Sequence, residues 1–219
     1  SGVICTSTAR GRGSSDGRIG PSIPPSRCDA GGMGSADTAD QALLDADAAL
    51  ERFDLDAVVA HLSTAVRILS EGDDPRRAAM ACVRLGDTYG TALGNLTAAR
   101  AWFARAWRLV EHEPPCVEQG WVAVAAMGCD VDDPAVLLAA ADLALDRALT
   151  FGDVNLETKA LADAGLARVR SGQIDQWMAL LDEAMALACG PADDAEVAAK
   201  SVCSFFTACY HVGAVERAG

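Results

Sequence analysis

Small residues recur at the middle of every second apolar-periodic segment of this chain, and their spacing constrains the fold more than any other feature. Ala65, Ala106, Ala144 and Ala184 stand 41, 38 and 40 residues apart. The turn glycines Gly94, Gly172 and Gly213 are 78 and 41 apart, with Asp132 near the place between the first two. Between these marks the apolar residues follow the 3.6-residue stripe of helices, not the alternation of strands. One helix hairpin cannot bury its apolar faces alone, but a stack of hairpins can. A period of about 40 with two helices per unit therefore predicts an all-α fold, an α-solenoid of about four to five antiparallel hairpins.

The stretch Leu85–Pro115, LGDTYGTALGNLTAARAWFARAWRLVEHEPP, reads as one such hairpin. A helix ends near Gly94, and a second runs to about Glu111. Gly86, Ala99 and Ala106 alternate with Leu85, Tyr89, Trp102 and Phe103, so that small side chains admit close crossing and large ones fill the space beside them. Elsewhere, Gln41–Phe53 carries Leu43, Ala46, Leu50 and Phe53 on one face. Asp54 is placed to cap a helix over 55–70, Gly72 to make its left-handed exit, and Asp74-Pro75 to start the next helix.

Pro114-Pro115 opens 116–129, and Asp133-Pro134 opens a helix to Thr150. Gly152-Asp153 leads into 156–170, and Ser171-Gly172 into 174–189. Asp193 with Glu196 forms a capping pattern for a last helix through His211. This punctuation predicts nine helices and the start of a tenth.

Residues 1–36 are expected to be disordered. Up to Gly32 they are rich in Gly, Ser, Pro and Arg, without period and without the apolar core of a secretory signal. Met33 is a candidate natural start; a basic interaction arm is the functional alternative. The helical domain is expected over 37–219.

Charge narrows the partners. The chain carries a net −13, and residues 1–32 hold four arginines against two aspartates, so the remainder stands at −15. A surface that acidic repels phosphate backbones, which argues against direct nucleic-acid binding. No run approaches 18 uncharged apolar residues, so no membrane span is expected. Cys82, Cys116, Cys129, Cys189, Cys203 and Cys209 lie singly in helical patterns without CxxC, the distribution of reduced packing thiols in a cytoplasmic protein.

Leu85-Gly86, Tyr89, Gly94, Ala99, Phe103 and Ala106 resemble the tetratricopeptide (TPR) repeat pattern, and Gly165, Gly172, Leu181 and Ala184 keep nearly the same spacing. Trp177 stands where that family prefers alanine, the unit around Trp121–Ala144 departs from the pattern, and the period is longer than the usual 34, so the resemblance is to a TPR-like array. GDVNLETKALADAGLARV and MALLDEAMALACG resemble the repeat regions of actinobacterial LuxR-type regulators. That resemblance implies the sensor or oligomerisation region of a bacterial transcription regulator. No DNA-binding helix-turn-helix or phosphate-loop motif occurs in the 219 residues.

In such arrays the first helix of each hairpin faces a groove. The two lysines of the chain, Lys159 and Lys200, are 41 apart and so occupy equivalent positions. With Asp87, Arg170, Thr207 and Tyr210 they are the candidate groove residues, able to receive a carboxylate or acidic peptide. The alternative function is a sensor for an anionic small molecule held between the two lysines; the bland alternative is a pair of solvated lysines.

Phe205 and Phe206, with Tyr210, are expected to be left bare if the array breaks off here, which offers a homodimer interface. The chain reads as a fragment of a longer protein or one covered by a partner. His61, His112 and His211 are dispersed, the acidic turn Asp130, Asp132, Asp133 lacks a calcium-loop glycine, and Trp102, Trp107, Trp121 and Trp177 fall at packing intervals. No catalytic pair or cofactor motif can be named, and the expected role is a protein- or peptide-binding scaffold, not an enzyme.

Overall fold

Helix starts in this chain are written by short polar side chains. Asp54, Asp74, Asn95, Asp133, Asp153 and Asp194 each accept a hydrogen bond from a backbone N–H two or three residues on, satisfying donors that the first helical turn leaves open. The computed structural model describes residues 35–129, 133–173, 176–190, 194–214 and 216. Among these, nine α-helices form: α1 (Ser35–Glu51), α2 (Leu55–Glu71), α3 (Pro75–Asp87), α4 (Leu96–Val110), α5 (Val117–Met127), α6 (Pro134–Phe151), α7 (Val154–Arg170), α8 (Trp177–Ala188) and α9 (Ala195–Val212). A π-helical turn, Thr88–Ala92, continues α3 toward Gly94. No strand occurs among the described residues. The fold is the all-α solenoid that the spacing predicts.

Successive helices pair as α1/α2, α3/α4, α5/α6 and α7/α8, and each hairpin docks on the next. The odd-numbered helices form one layer, with α3 against α5, α5 against α7 and α7 against α9. Ion pairs Arg77–Asp40 and Arg84–Asp47, both between residues 37 apart, tie α3 to α1 over two turns. Ala65, Ala106, Ala144 and Ala184 are fully buried, as a residue at a helix crossing must be. Gly86 faces the ring of Phe103, and Gly165 faces Leu181; in each hairpin a missing side chain admits a large one.

Several local expectations are corrected. Helix α1 begins at Ser35, two residues before the expected domain start at 37. Its buried stripe is Ala39, Ala42, Ala46 and Ala49, while Leu50 and Phe53 are exposed. Alanines let α1 lie close on α2, and Phe53 falls past the helix end at a positive φ of 55°. The left-handed exit from α2 is made by Asp73 (φ 57°), not Gly72 (φ −84°), because a short polar side chain tolerates that conformation. The cap of α9 is Asp194; Asp193 lies outside the described residues, as do residues 1–34, Asp130 and Asp132. Beyond Gly213, whose φ of 71° ends α9, the start of a tenth helix also falls largely outside them.

Candidate functional site

Three of the predicted groove residues meet in one polar network on the odd-numbered layer. Lys200 of α9 places its Nζ 3.0 Å from Asp87 Oδ2 at the end of α3 and 2.9 Å from Glu196 Oε1 one turn earlier. Lys159 of α7 is ion-paired with Asp163, which is buried. Ser204 of α9 donates to Asp163 Oδ1 at 3.0 Å, so α9 is joined to α7 as well. Burial pulls the Lys200 pKa down, but Asp87 and Glu196 outweigh it, and the ammonium ends above its ordinary 10.5. Two ammonium groups thus face three carboxylates of their own chain.

Arg170, Thr207 and Tyr210 are not drawn into this network. Arg170 is exposed at the end of α7, Thr207 Oγ1 donates to the carbonyl of Cys203 at 2.7 Å, and Tyr210 is 79% exposed beside His211. Phe205 packs on the core formed by α7 and α8, whereas Phe206 is exposed, with its ring 6.0 Å from that of Phe205. The C-terminal aromatic patch is therefore Phe206 and Tyr210, with Phe205 largely committed inward.

An open apolar groove lies elsewhere, between the even-numbered helices α4 and α6. Its floor is α5, with Val122, Ala123 and Ala126; its walls are Phe103, Ala104 and Trp107 on one side and Val136, Ala140 and Leu143 on the other. The groove encloses about 880 Å³. Arg100 and Asp133 are its charged lining residues, and Arg100 Nε donates to the carbonyl of Cys129 at 3.2 Å. Trp107 is 37% exposed and Val136 51%, whereas Trp177 is fully buried.

The corresponding gap one hairpin earlier, between α2 and α4, is different. It holds about 400 Å³ and is lined by Ser63, Val66, Arg67, Ser70, Glu71, Trp102 and Arg105. Arg67 pairs with Glu71 there, and the Arg105 guanidinium lies 5.4 Å from the Trp102 ring centre. Equivalent places in the array thus carry a mixed lining, with two arginines and a glutamate beside Val66 and Trp102, in one case and a lining mostly of alanine, valine and aromatic residues in the next.

The walls of the apolar groove are held by a buried side chain that sequence reasoning missed. Gln119 of α5 donates from Nε2 to the carbonyls of Val110 (2.9 Å) and Glu113 (3.2 Å), and its Oε1 accepts from Arg147 Nε of α6 (2.9 Å). One amide thereby fixes the ends of α4 and α6 to α5. Trp121 adds a second tie, donating from Nε1 to Asp153 Oδ2 at 3.0 Å. Among the described residues no cluster of three or more His, Cys, Asp or Glu could hold a metal ion, and no helix is long and apolar enough to cross a membrane.

An array of helix hairpins with unfilled gaps between successive elements is a helical-repeat protein of the interaction type. Comparison with known proteins agrees at that level. The family model described as SNAP, soluble NSF attachment protein, matches residues 26–132, somewhat less than half of the chain. That family is α-helical and TPR-like, so the similarity supports a helical-repeat protein. The match takes in α1 to α5 but not α6. No curated protein and no solved structure matches the chain.

Proposed function

We propose that this protein is a protein-binding scaffold, acting by recognition with no bond-making step. The observation that carries the reading is the α4–α6 groove, a mostly apolar surface left open between two successive hairpins of the array. A concave apolar surface of this kind on a chain with a net charge of −13 is a place where a partner can dock. SNAP proteins are, by their name, attachment proteins, and the likeness over residues 26–132 is in keeping with attachment as the task. The likeness of the α7 and α8 segments to actinobacterial regulators supports a finer version, in which the scaffold is the sensor or oligomerisation region of a bacterial regulatory protein.

The anionic-effector reading is less well supported. An anion seated between Lys159 and Lys200 would have to displace Asp163, Asp87 and Glu196 from their lysines. The test of the scaffold reading is photo-crosslinking in cells of the source organism, with benzoylphenylalanine at Val136 in the groove or at exposed Thr64 of α2. Protein adducts at Val136 and not at Thr64 are expected. Equal labelling at both positions, or no protein adduct at either, would overturn the reading.

A further inference from the structure

Resting on the scaffold reading, we infer that the α4–α6 groove receives an amphipathic helix of a partner protein, and that the polar face of this helix is basic. The shape argues for a helix. Two walls from parallel-running elements of the array stand over the floor of α5, and Ala104, Ala123, Ala126, Ala139 and Ala140 keep the lining shallow enough for another helix backbone to come close. A small ligand needs a few convergent polar groups to fix its orientation. Among the described residues the charged lining is Arg100 and Asp133, and the Arg100 Nε is engaged with the Cys129 carbonyl.

Charge argues for a basic face. On α4 the groove-facing residues are Arg100, Phe103, Ala104 and Trp107, and the next position on that face, by helical register, is Glu111. On α6, Asp133 stands at one end of the stripe Val136, Ala140, Leu143, and exposed Asp146, ion-paired with Arg147, lies one turn past Leu143. Arg100 offsets Asp133 at one end, and the carboxylates Glu111 and Asp146 border the other. The C-terminal ends of α4 and α6 add the negative poles of their helix dipoles beside Glu111 and Asp146. Residues 33–219 carry a net −15, which disfavours a second copy of the chain as occupant and raises the local concentration of a basic one.

The test uses the full chain and two synthetic helices. Each peptide has leucines at i, i+3, i+4 and i+7; one carries lysines on its polar face and the other glutamates. Binding is read by titration calorimetry, with circular dichroism and Tm confirming that each variant is folded. The lysine peptide is expected to bind at least about tenfold more tightly than the glutamate peptide. Trp107→Ser is expected to weaken it about tenfold with charge unchanged. Glu111→Gln combined with Asp146→Asn is expected to weaken it several-fold and to flatten its salt dependence.

Equal affinity for the two peptides overturns the basic face, and indifference to Trp107→Ser overturns the groove. Occupancy by decanoate, or self-association abolished by Trp107→Ser, each without peptide binding, overturns the helix as occupant. If peptides fail while protein adducts still form at Val136, this inference falls and the scaffold reading stands. Absence of both removes the two together.

Discussion

Lys200 on α9 and Asp87 at the end of α3 are 113 residues apart and form an ion pair of 3.0 Å. The contact passes over α5 and α7, which lie between the two helices in the odd-numbered layer. The layer therefore curls far enough for its last described helix to reach back to its second. Asp87 is also where regular α-helix gives way to the π-helical turn Thr88–Ala92, so the pair joins α9 to the point at which α3 changes its winding. Lys159, at the equivalent position on α7, satisfies itself locally with Asp163.

Replacing Lys200 by Met is expected to lower unfolding free energy by about 0.5–1 kcal/mol, the range of partly solvated pairs. The folded-state pKa of Lys200 is raised, so its contribution is fully present below 10.5 and is lost as pH rises through the higher folded value. Urea unfolding of wild type and Lys200→Met across that range should give curves that converge at alkaline pH. A constant difference between them would place the effect of the substitution elsewhere.

Gly86→Ala is expected to cost about 1–3 kcal/mol, as overpacking of a filled core does. A Cβ there would stand 2.7 Å from Phe103 Cδ1, so this buried ring must be pushed from its place toward the α4–α6 groove that it lines. Thermal unfolding of Gly86→Ala alone and with Phe103→Leu measures this. The second change should recover part of the loss, which two independent defects would not do.

These two sites show which parts of the fold were legible in sequence. The Gly86–Phe103 contact and the buried alanines at 65, 106, 144 and 184 could be read because a helix crossing demands a small side chain at a set depth, and depth is repeated with the period. Asp87 and Lys200 could each be assigned to the groove face by register. Their union could not, because it depends on rotation accumulated over several hairpins. Trp107 was hidden for a related reason: its spacing is that of a core tryptophan, and only the separation of α4 from α6 leaves it exposed. Gln119 stands three residues after the N-cap Cys116, whose N–H its Oε1 accepts as in a capping box, but its ties to Val110, Glu113 and Arg147 depend on helices that only the fold brings together.

Gln119→Leu keeps most of the side-chain volume but abandons the carbonyls of Val110 and Glu113 and the guanidinium of Arg147. Leaving such groups without partners is expected to cost about 2–4 kcal/mol. Because the same bonds hold the groove walls, benzoylphenylalanine at Val136 should also lose its crosslinking specificity in this background. Chemical denaturation gives the first quantity. An unchanged midpoint would mean that water replaces the amide without loss.

Asp163 is 7% exposed and holds both Lys159 and Ser204. Asp163→Ala strands a largely buried ammonium and is expected to cost about 3 kcal/mol, whereas Asp163→Leu with Lys159→Met removes both charges and should cost much less. A double-mutant cycle by urea unfolding measures the coupling. Additive losses would show that the two groups do not depend on each other.

Cys82 on α3 is fully buried, and burial pushes its thiol from 9.0 up to about 11 despite the positive charges of Arg105 and Arg108. Between these values the unfolded chain loses this proton while the folded chain keeps it, so stability falls as pH rises, by about 2 kcal/mol over the interval. Cys82→Ala should flatten that alkaline decline after the constant cost of its cavity is subtracted. The thiolate is the reactive form, so iodoacetamide at pH 8 is expected to modify exposed Cys189 and Cys203 first and to reach Cys82 only as the domain opens. Peptide mapping over time separates the two classes, and labelling of Cys82 at the rate of Cys203 in the folded protein would contradict the packing of α3 against α4.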